Sequence, residues 1–209
     1  MAAGLSNTPE QNPSFNPVVL HWPPSMRLGD EQFFEFCRAN DAWRIEYTAA
    51  GDCEIMAPTG GETGWRNSRL TTLLSIWAEQ EGSGVVFGSS SGFVLSDGAI
   101  RSPDVSWVKK ARLAVLTPEQ KQRFLPLCPD FVIELCSPSD NLKTLQGKMR
   151  EYIENGADLG WLIDAEIKRV LIFRPGQAIS TVDQPEFLSD DVVLSGFKLN
   201  MNKIWNVDF

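Results

Sequence analysis

Residues 129–138 read Pro-Asp-Phe-Val-Ile-Glu-Leu-Cys-Ser-Pro, and the rest of the fold is predicted to be built around this stretch. Its centre, residues 131–136, is apolar, rich in side chains that favour β-structure and flanked by proline, which predicts a short buried strand. Glu134 interrupts this apolar run. Because an isolated buried carboxylate costs several kcal/mol, Glu134 must be paired, protonated or bound to a metal.

Side chains alternate between the two faces of a strand, so the neighbours of Glu134 divide into two groups. Val132 and Cys136 share the face of Glu134, whereas the apolar residues at 131, 133 and 135 occupy the other face. The elements around this strand follow the order helix, several strands, helix, strands. That order is typical of a mixed α/β (α+β) protein with a central mixed β-sheet flanked by helices.

Apolar spacing and end signals predict the other elements. Ser139 or Asp140 is the expected cap of the helix after the central strand, and Gly82 and Gly156 are expected helix ends. The predicted helices cover residues 28–40, from 62 or 65 to 81, and 141–155. The predicted strands cover residues 43–48, 53–56, 85–87, 92–95, 100–108, 160–164 and 169–173, with edge strands and a short terminal element within 179–182, 192–194 and 199–207.

The length of 209 residues suits one well-cored domain. Residues 1–17 are rich in Asn, Pro, Ser and Gly and predict a disordered lead-in, so the single domain is predicted to cover residues 18–209. No apolar run is long enough for a membrane span, and the N-terminus lacks the pattern of a secretory signal. We therefore expect a cytoplasmic protein that does not associate with membranes.

Charge and cysteine content narrow the classes of function. The formal net charge of −8 argues against sequence-blind binding of nucleic acid through overall charge, although it leaves room for a local basic patch. The four cysteines form no CxxC pair and the chain contains one histidine, which argues against a zinc site. Without a secretory signal, the cysteines are expected to be reduced thiols.

Three chemically active side chains are predicted to converge at one end of the sheet. Asp104 begins one strand, Glu134 lies within another, and Lys148 comes from the helix that follows. At about 100° per residue, Lys148 falls on the flank of that helix's apolar stripe, where its stem can follow the sheet and carry the ammonium to the carboxylates. Two carboxylates suit Mg²⁺ or Mn²⁺, and a nearby lysine suits phosphodiester hydrolysis.

The same residues resemble the Uma-two family, which is abundant in cyanobacteria and belongs to the PD-(D/E)xK superfamily of restriction-endonuclease-like nucleases. The resemblance covers roughly residues 28–200. It rests on the segments 56–62, 101–108, 129–140 and 156–164, together with Lys148 and Tyr152.

The resemblance implies a restriction-endonuclease-like core, DNA as substrate, and a divalent metal held by Asp104 and Glu134. It also implies that Glu62 is a candidate third acid. The chain departs from the superfamily pattern at Cys136, which stands where a lysine is expected, so that Lys148 would have to replace this lysine from the helix. A homodimer is expected, because duplex cleavage commonly uses two symmetric sites.

Each candidate residue also has a purely structural interpretation. Asp104 could be satisfied by backbone amides at a strand start, and Glu134 by a structural ion pair. Lys148 could be a solvated helix lysine, Glu62 an acid that complements the helix dipole, and Cys136 a small buried apolar residue. A metal-dependent DNA endonuclease is the first hypothesis. A catalytically decayed protein that binds DNA or another protein is the second, and a phosphoesterase with another substrate is the third.

Overall fold

The computed structural model describes residues 18–138 and 140–209, which contain two β-sheets, a separate hairpin and six α-helices. The predicted lead-in, residues 1–17, and Ser139 lie outside the described residues. The strands are β1 (Val18–Leu20), β2 (Arg44–Tyr47), β3 (Cys53–Met56), β4 (Gly84–Gly88), β5 (Phe93–Val94), β6 (Ile100–Arg101), β7 (Val105–Lys109), β8 (Phe131–Cys136), β9 (Leu159–Asp164), β10 (Arg169–Phe173), β11 (Ser180–Asp183), β12 (Phe187–Asp190) and β13 (Leu194–Asn200). The helices are α1 (Asp30–Ala39), α2 (Gly61–Glu81), α3 (Lys110–Ala114), α4 (Pro118–Lys121), α5 (Leu142–Glu154) and α6 (Asn202–Trp205).

The larger sheet has six strands in the order β11-β10-β9-β8-β7-β4, with the predicted central strand β8 in its interior. Strands β8 and β9 are parallel, and every other pair in this sheet is antiparallel. Since two parallel strands need a crossover connection, α5 spans the distance between the end of β8 and the start of β9. The sheet is therefore mixed and flanked by helices, which confirms the predicted fold class.

The two faces of this sheet bury two different clusters. Helix α2, the β12–β13 hairpin and α6 cover the face that carries Phe131, Ile133 and Leu135. Helix α5 covers the face that carries Val132 and the half-buried Cys136. The alternation predicted from the sequence of β8 is confirmed.

A second sheet, with strands in the order β1-β3-β2-β6-β5, was not foreseen as a separate layer. It packs through Ile45 and Tyr47 on Phe33 of α1. The sequence predicted the hairpin β2–β3 but not β1. The three residues of β1 are all apolar and all exposed, so they offer no alternation of apolar and polar side chains that would predict a strand. This second sheet matters for function because β2 contributes side chains to the site on the first sheet.

Three details of the prediction were wrong. The predicted strand 100–108 is two strands, β6 and β7, which belong to different sheets, because Pro103 between them has no backbone N–H to continue a ladder.

Helix α5 is capped by Asn141, whose side-chain oxygen accepts from the backbone N–H groups of Lys143 and Thr144. Asp140 instead accepts from the N–H of Ser137, so it closes the turn before the helix.

In the tail, β12 lies where no strand was predicted, and Val192, which was assigned to a strand, is an exposed turn residue. The left-handed Gly196 and a register shift between Ser189 and Asp190 break the regular alternation, which is why the apolar pattern misplaced these strands.

Candidate active site

Asp104 lies immediately before β7 and is buried at the junction of three elements. The antiparallel register of β7 and β8 brings it beside Leu135, whose backbone N–H donates to Oδ2 at 2.9 Å. Its other oxygen, Oδ1, accepts from Asn67 Nδ2 of α2 at 3.2 Å and from Arg44 Nη1 of β2 at 3.4 Å. The aspartate that the sequence singled out is thus held by backbone, amide and guanidinium donors together.

Glu134 is buried within β8, and its Oε1 accepts from Lys148 Nζ at 2.9 Å and from Tyr152 Oη at 3.0 Å. Both donors come from α5, one turn apart. Burial raises the pKa of Glu134 to about 7, and the nearby carboxylates of Asp104 and Glu46 add to this rise although Lys148 opposes it. Glu134 is therefore a carboxyl group that gains or loses its proton near neutral pH.

Lys148 links two carboxylates. Its Nζ lies 2.9 Å from Glu134 Oε1 and 2.9 Å from Glu46 Oε1. Burial alone would lower the pKa of this lysine, but Glu134 and Glu46 outweigh it and raise the pKa, so Lys148 is charged. The ammonium of Lys148 thus reaches Glu134 on the sheet, the contact that helical geometry allowed for a lysine on the flank of the apolar stripe.

Glu46 of β2 contributes to this candidate site and was missed by sequence reasoning. It is buried and accepts from Lys148 Nζ, from Arg101 Nη1 at 3.2 Å and from the backbone N–H of Ser102 at 3.0 Å. Burial would raise the pKa of Glu46, but Lys148, Arg101 and Arg44 lower it to about 2. The signal was available, because Glu46 stands between Ile45 and Tyr47 just as Glu134 stands within the apolar β8.

Ion pairs extend the site into a larger network. Arg101 bonds to Glu54 and to Glu151 at 2.6 Å each as well as to Glu46. Within the described residues, five carboxyl groups of this network are joined to three cations, so acidic groups outnumber basic ones. The carboxylates are those of Glu46, Glu54, Asp104, Glu134 and Glu151, and the cations are Arg44, Arg101 and Lys148.

The structure does not bring Glu62 into this network. Its side chain is 66% exposed and pairs with Arg66, one turn along α2, at 3.1 Å. The residue of α2 that touches Asp104 is Asn67. A role for Glu62 as a third acid stays a prediction without a contact to support it in the described part of the chain.

Cys136 ends β8 and packs, half buried, with the apolar residues under α5. Burial raises the pKa of its thiol to about 12, and the neighbouring Asp164 adds to this rise. The thiol donates a weak hydrogen bond to the backbone carbonyl of Ser137 at 3.7 Å. Cys136 is thus a neutral side chain and cannot supply the positive charge that a lysine would bring.

A divalent cation fits the charge of this site, although no three acidic, histidine or cysteine side chains of the described residues converge to hold one. Asp104 and Glu134 are the carboxylates that would bind it, and carboxylate oxygens are the ligands that Mg²⁺ and Mn²⁺ prefer. Beside Asp104, the buried Oδ1 of Asn67 has no hydrogen-bond partner among the described residues and could serve as a neutral oxygen ligand.

An open cavity of about 450 Å³ borders Asp104. One wall is α2, with Asn67 and its neighbours, and the other is the turn after β4, residues 88–90. The cavity is lined by small, uncharged side chains apart from Asp104 itself, so a substrate can approach this carboxylate from solvent.

The fold and the site together define a class: an α/β protein with two buried carboxylates and a lysine at the interior strands of a mixed sheet. A crystal structure described as a putative nuclease belonging to DUF820, from Anabaena variabilis ATCC 29413, has the same fold, with a TM-score of 0.70 and 18% sequence identity. The similarity covers 85% of this chain and 97% of that chain.

Residues 30–202 match the model of the Uma2 (Uma-two) family, described as putative restriction endonuclease, and the chain belongs to this family. The resemblance predicted from the sequence motifs is confirmed, and family and fold support a nuclease function. No curated protein matches the chain. Within residues 18–138 and 140–209, no helix combines the length and the apolar character that crossing a membrane requires.

Proposed function

We propose that the protein is a metal-dependent DNA endonuclease that hydrolyses phosphodiester bonds. The observation that carries the proposal is the position of Lys148 Nζ, 2.9 Å from the buried Glu134, with Asp104 on the adjacent strand. A buried lysine that shares its charge between two carboxylates is expensive to maintain for stability alone. In phosphoryl transfer, a lysine placed beside a pair of carboxylates can stabilise the negative charge that develops on the phosphate.

Each residue has a specific role in the proposed reaction. Asp104 and Glu134 hold Mg²⁺ or Mn²⁺, which when bound polarises the phosphate and supplies an activated water. The ammonium of Lys148 stabilises the negative charge that develops on the phosphate in the transition state. Tyr152 and Glu46 position Glu134 and Lys148, because each bonds to one of them.

DNA as the substrate and the cytoplasm as the location are parts of this proposal, and the nuclease family supports DNA. The cavity beside Asp104 is open, so an extended phosphodiester chain can pass through it. We include a homodimer in this proposal because two symmetric sites would cut both strands of a duplex. Light scattering coupled to size-exclusion chromatography tests this part, and a mass near the 23.3 kDa of one chain would contradict it.

The decisive experiment incubates the protein with supercoiled plasmid and Mg²⁺ or Mn²⁺, beside Asp104→Ala, Lys148→Ala and Lys143→Ala. Lys143 is the matched control, since it is an exposed lysine on the same helix. Nicking by the wild type and by Lys143→Ala, lost in the other two variants, is the expected result. Nicking that survives in Asp104→Ala would overturn the assignment of the site.

A second candidate function is a decayed nuclease that binds DNA or a partner protein. It is favoured by Cys136, which replaces the expected lysine, and by the ion pairs that already engage Asp104 and Glu134. Titration of the protein with Mn²⁺ by calorimetry separates the two candidates. Binding that Asp104→Ala abolishes favours the enzyme, whereas absence of binding favours the decayed protein.

A further inference from the structure

Arg44, at the start of β2, approaches the candidate metal ligand Asp104 from the second sheet. Its Nη1 lies 3.4 Å from Asp104 Oδ1, and its Nη2 donates to the backbone carbonyl of Ser102 and lies 3.7 Å from Glu46 Oε1. Its Nε is buried and has no hydrogen-bond partner among the described residues. The side chain of Arg44 is 29% exposed, so it can move toward solvent.

The contact with Arg44 is the longest of the three hydrogen bonds that Asp104 accepts. At 3.4 Å it lies beyond the usual range for N–H···O bonds, whereas the bond from Leu135 N–H to the other oxygen is 2.9 Å long. A divalent cation at Asp104 would compete with Arg44 for the same negative charge. The cation would repel the guanidinium and would therefore displace Arg44 from Asp104 before it displaced the shorter bond from the Leu135 N–H.

Arg44 is also suited to a different anion. Its planar guanidinium carries five donors, and two of its three nitrogens have weak or absent partners in the protein. Once a cation neutralises Asp104, the positive charge of Arg44 would be balanced only partly, by Glu46 at 3.7 Å. A phosphate oxygen of the substrate would supply the missing negative charge, and Arg side chains bind phosphate with strong charge-assisted hydrogen bonds.

We propose that Arg44 is a displaceable counter-ion of Asp104, which releases this carboxylate when a divalent cation binds and then holds a phosphate of the substrate. This inference rests on the proposed function and deepens it. It differs from a structural role in one respect: the removal of Arg44 affects the two ligands in opposite directions. Metal binding becomes tighter, because a competitor is lost, and phosphate binding becomes weaker, because a donor is lost.

The experiment measures both affinities for Arg44→Gln. Calorimetry with Mn²⁺ alone gives the metal affinity, and fluorescence anisotropy of a labelled duplex oligonucleotide in Ca²⁺ gives the phosphate-chain affinity. We expect about a fivefold tighter Mn²⁺ dissociation constant, the scale of one partly exposed ion pair. We expect about a tenfold weaker oligonucleotide dissociation constant, the scale of one charge-assisted hydrogen bond.

Arg69→Gln is the matched control, since it removes the same charge from an exposed position of α2. If Arg44→Gln binds Mn²⁺ no more tightly than Arg69→Gln, Arg44 is not a competitor of the metal and the inference fails while the proposed function stands. If the wild type binds no Mn²⁺, the proposed function fails and the inference with it.

Should Arg44→Gln not fold, Arg44→Lys replaces it in the experiment. This variant keeps the positive charge but loses the planar guanidinium that can donate two parallel hydrogen bonds. We then expect an Mn²⁺ affinity equal to that of the wild type and a weaker oligonucleotide affinity. An oligonucleotide affinity equal to that of the wild type would overturn the inference.

Discussion

Glu46 and Glu134 are two buried carboxylates that share one lysine, and their pKa values are displaced in opposite directions. Burial raises both. For Glu46, three cations outweigh burial, because Arg44 and Arg101 approach it in addition to Lys148. For Glu134, the rise caused by burial outweighs the effect of Lys148, because the negative charges of Asp104 and Glu46 raise the pKa further. The pKa of Glu46 is therefore lowered and that of Glu134 raised, although both residues are buried beside the same lysine.

We predict that Glu46→Gln destabilises the protein by about 3 kcal/mol at pH 7, because it leaves buried Lys148 and Arg101 without a shared anion. Urea unfolding followed by circular dichroism measures this loss. Glu54→Gln is the control, since Glu54 pairs with the same arginine but is more exposed, and its loss should stay near 1 kcal/mol. Equal losses in the two variants would contradict the central position of Glu46.

The contribution of Glu46 to the free energy of unfolding should also depend on pH. The folded-state pKa of Glu46 is lowered to about 2 from a normal value of 4.5, so its contribution to stability is fully present above pH 4.5 and is lost as pH falls toward 2. The difference in unfolding free energy between wild type and Glu46→Gln should therefore narrow as the pH is lowered from 5 toward 3. A difference that is constant over this range would contradict the assignment.

Cys136 gives a prediction about the lysine itself. Its side chain shares the face of Glu134 on β8, so a lysine at this position could bring its ammonium to the same carboxylate. Lys148→Ala should lower the rate of plasmid nicking by about 10²-fold or more, and Lys148→Ala combined with Cys136→Lys should restore part of it. Cys136→Ser in the Lys148→Ala background is the control. Equal rates for the two double variants would show that position 136 cannot replace Lys148.

At the scale of elements, α5 is the part of the fold that assembles the site. It begins at the end of β8, crosses the sheet and returns the chain to the parallel β9. Its face toward the sheet carries Met149 and Tyr152 into the core, while Lys148 beside them turns to the carboxylates. The donors to Glu134 therefore follow directly from the crossover that parallel strands require.

The packing of Trp107 against the edge strand β4 requires a glycine at position 84. A Cβ at Gly84 would lie 2.0 Å from Nε1 of the buried Trp107, whereas a Cβ at Gly88 of the same strand would meet nothing within 4 Å. We predict that Gly84→Ala destabilises the protein by about 1–3 kcal/mol through overpacking, and that Gly88→Ala changes stability by less than about 0.5 kcal/mol. Thermal unfolding with tryptophan fluorescence measures both. Equal effects would contradict the packing of Trp107 against β4.

At the scale of the molecule, the proposed function requires an acidic protein to bind an acidic polymer. With a net charge of −8, the wild type should bind a duplex oligonucleotide very weakly in EDTA at physiological salt and measurably in Ca²⁺. Asp104→Asn should show no gain from Ca²⁺. Fluorescence anisotropy measures these affinities, and tight binding of the wild type in EDTA would show that a surface other than this site holds DNA.

Local chemistry explains how much could be predicted. The strand around Glu134, the helix that carries Lys148 and the end of α2 at Gly82 follow from apolar spacing and from Gly and Pro signals, which act over a few residues. The structure places Lys148 against Glu134 and Asp104 at the start of the adjacent strand, an arrangement that the sequence indicated because neighbouring strands and the following helix leave few alternatives. The catalytic roles of these three residues stay a prediction. Glu46 and Arg44 were missed because the distance from β2 to this sheet is not encoded in any local pattern.

The sequence by itself determined that the chain forms a mixed sheet covered by helices, that Glu134 is buried and that Lys148 faces it. These features depend on the periodicity of side chains and on short connections, both of which can be read along the chain. Only the tertiary structure decided that Glu46 and Arg44 of a second sheet complete the site, and that Glu62 lies apart from it. The physical reason is that charge balance in a buried network depends on every group packed against it, however distant in sequence, and burial makes each of those charges count.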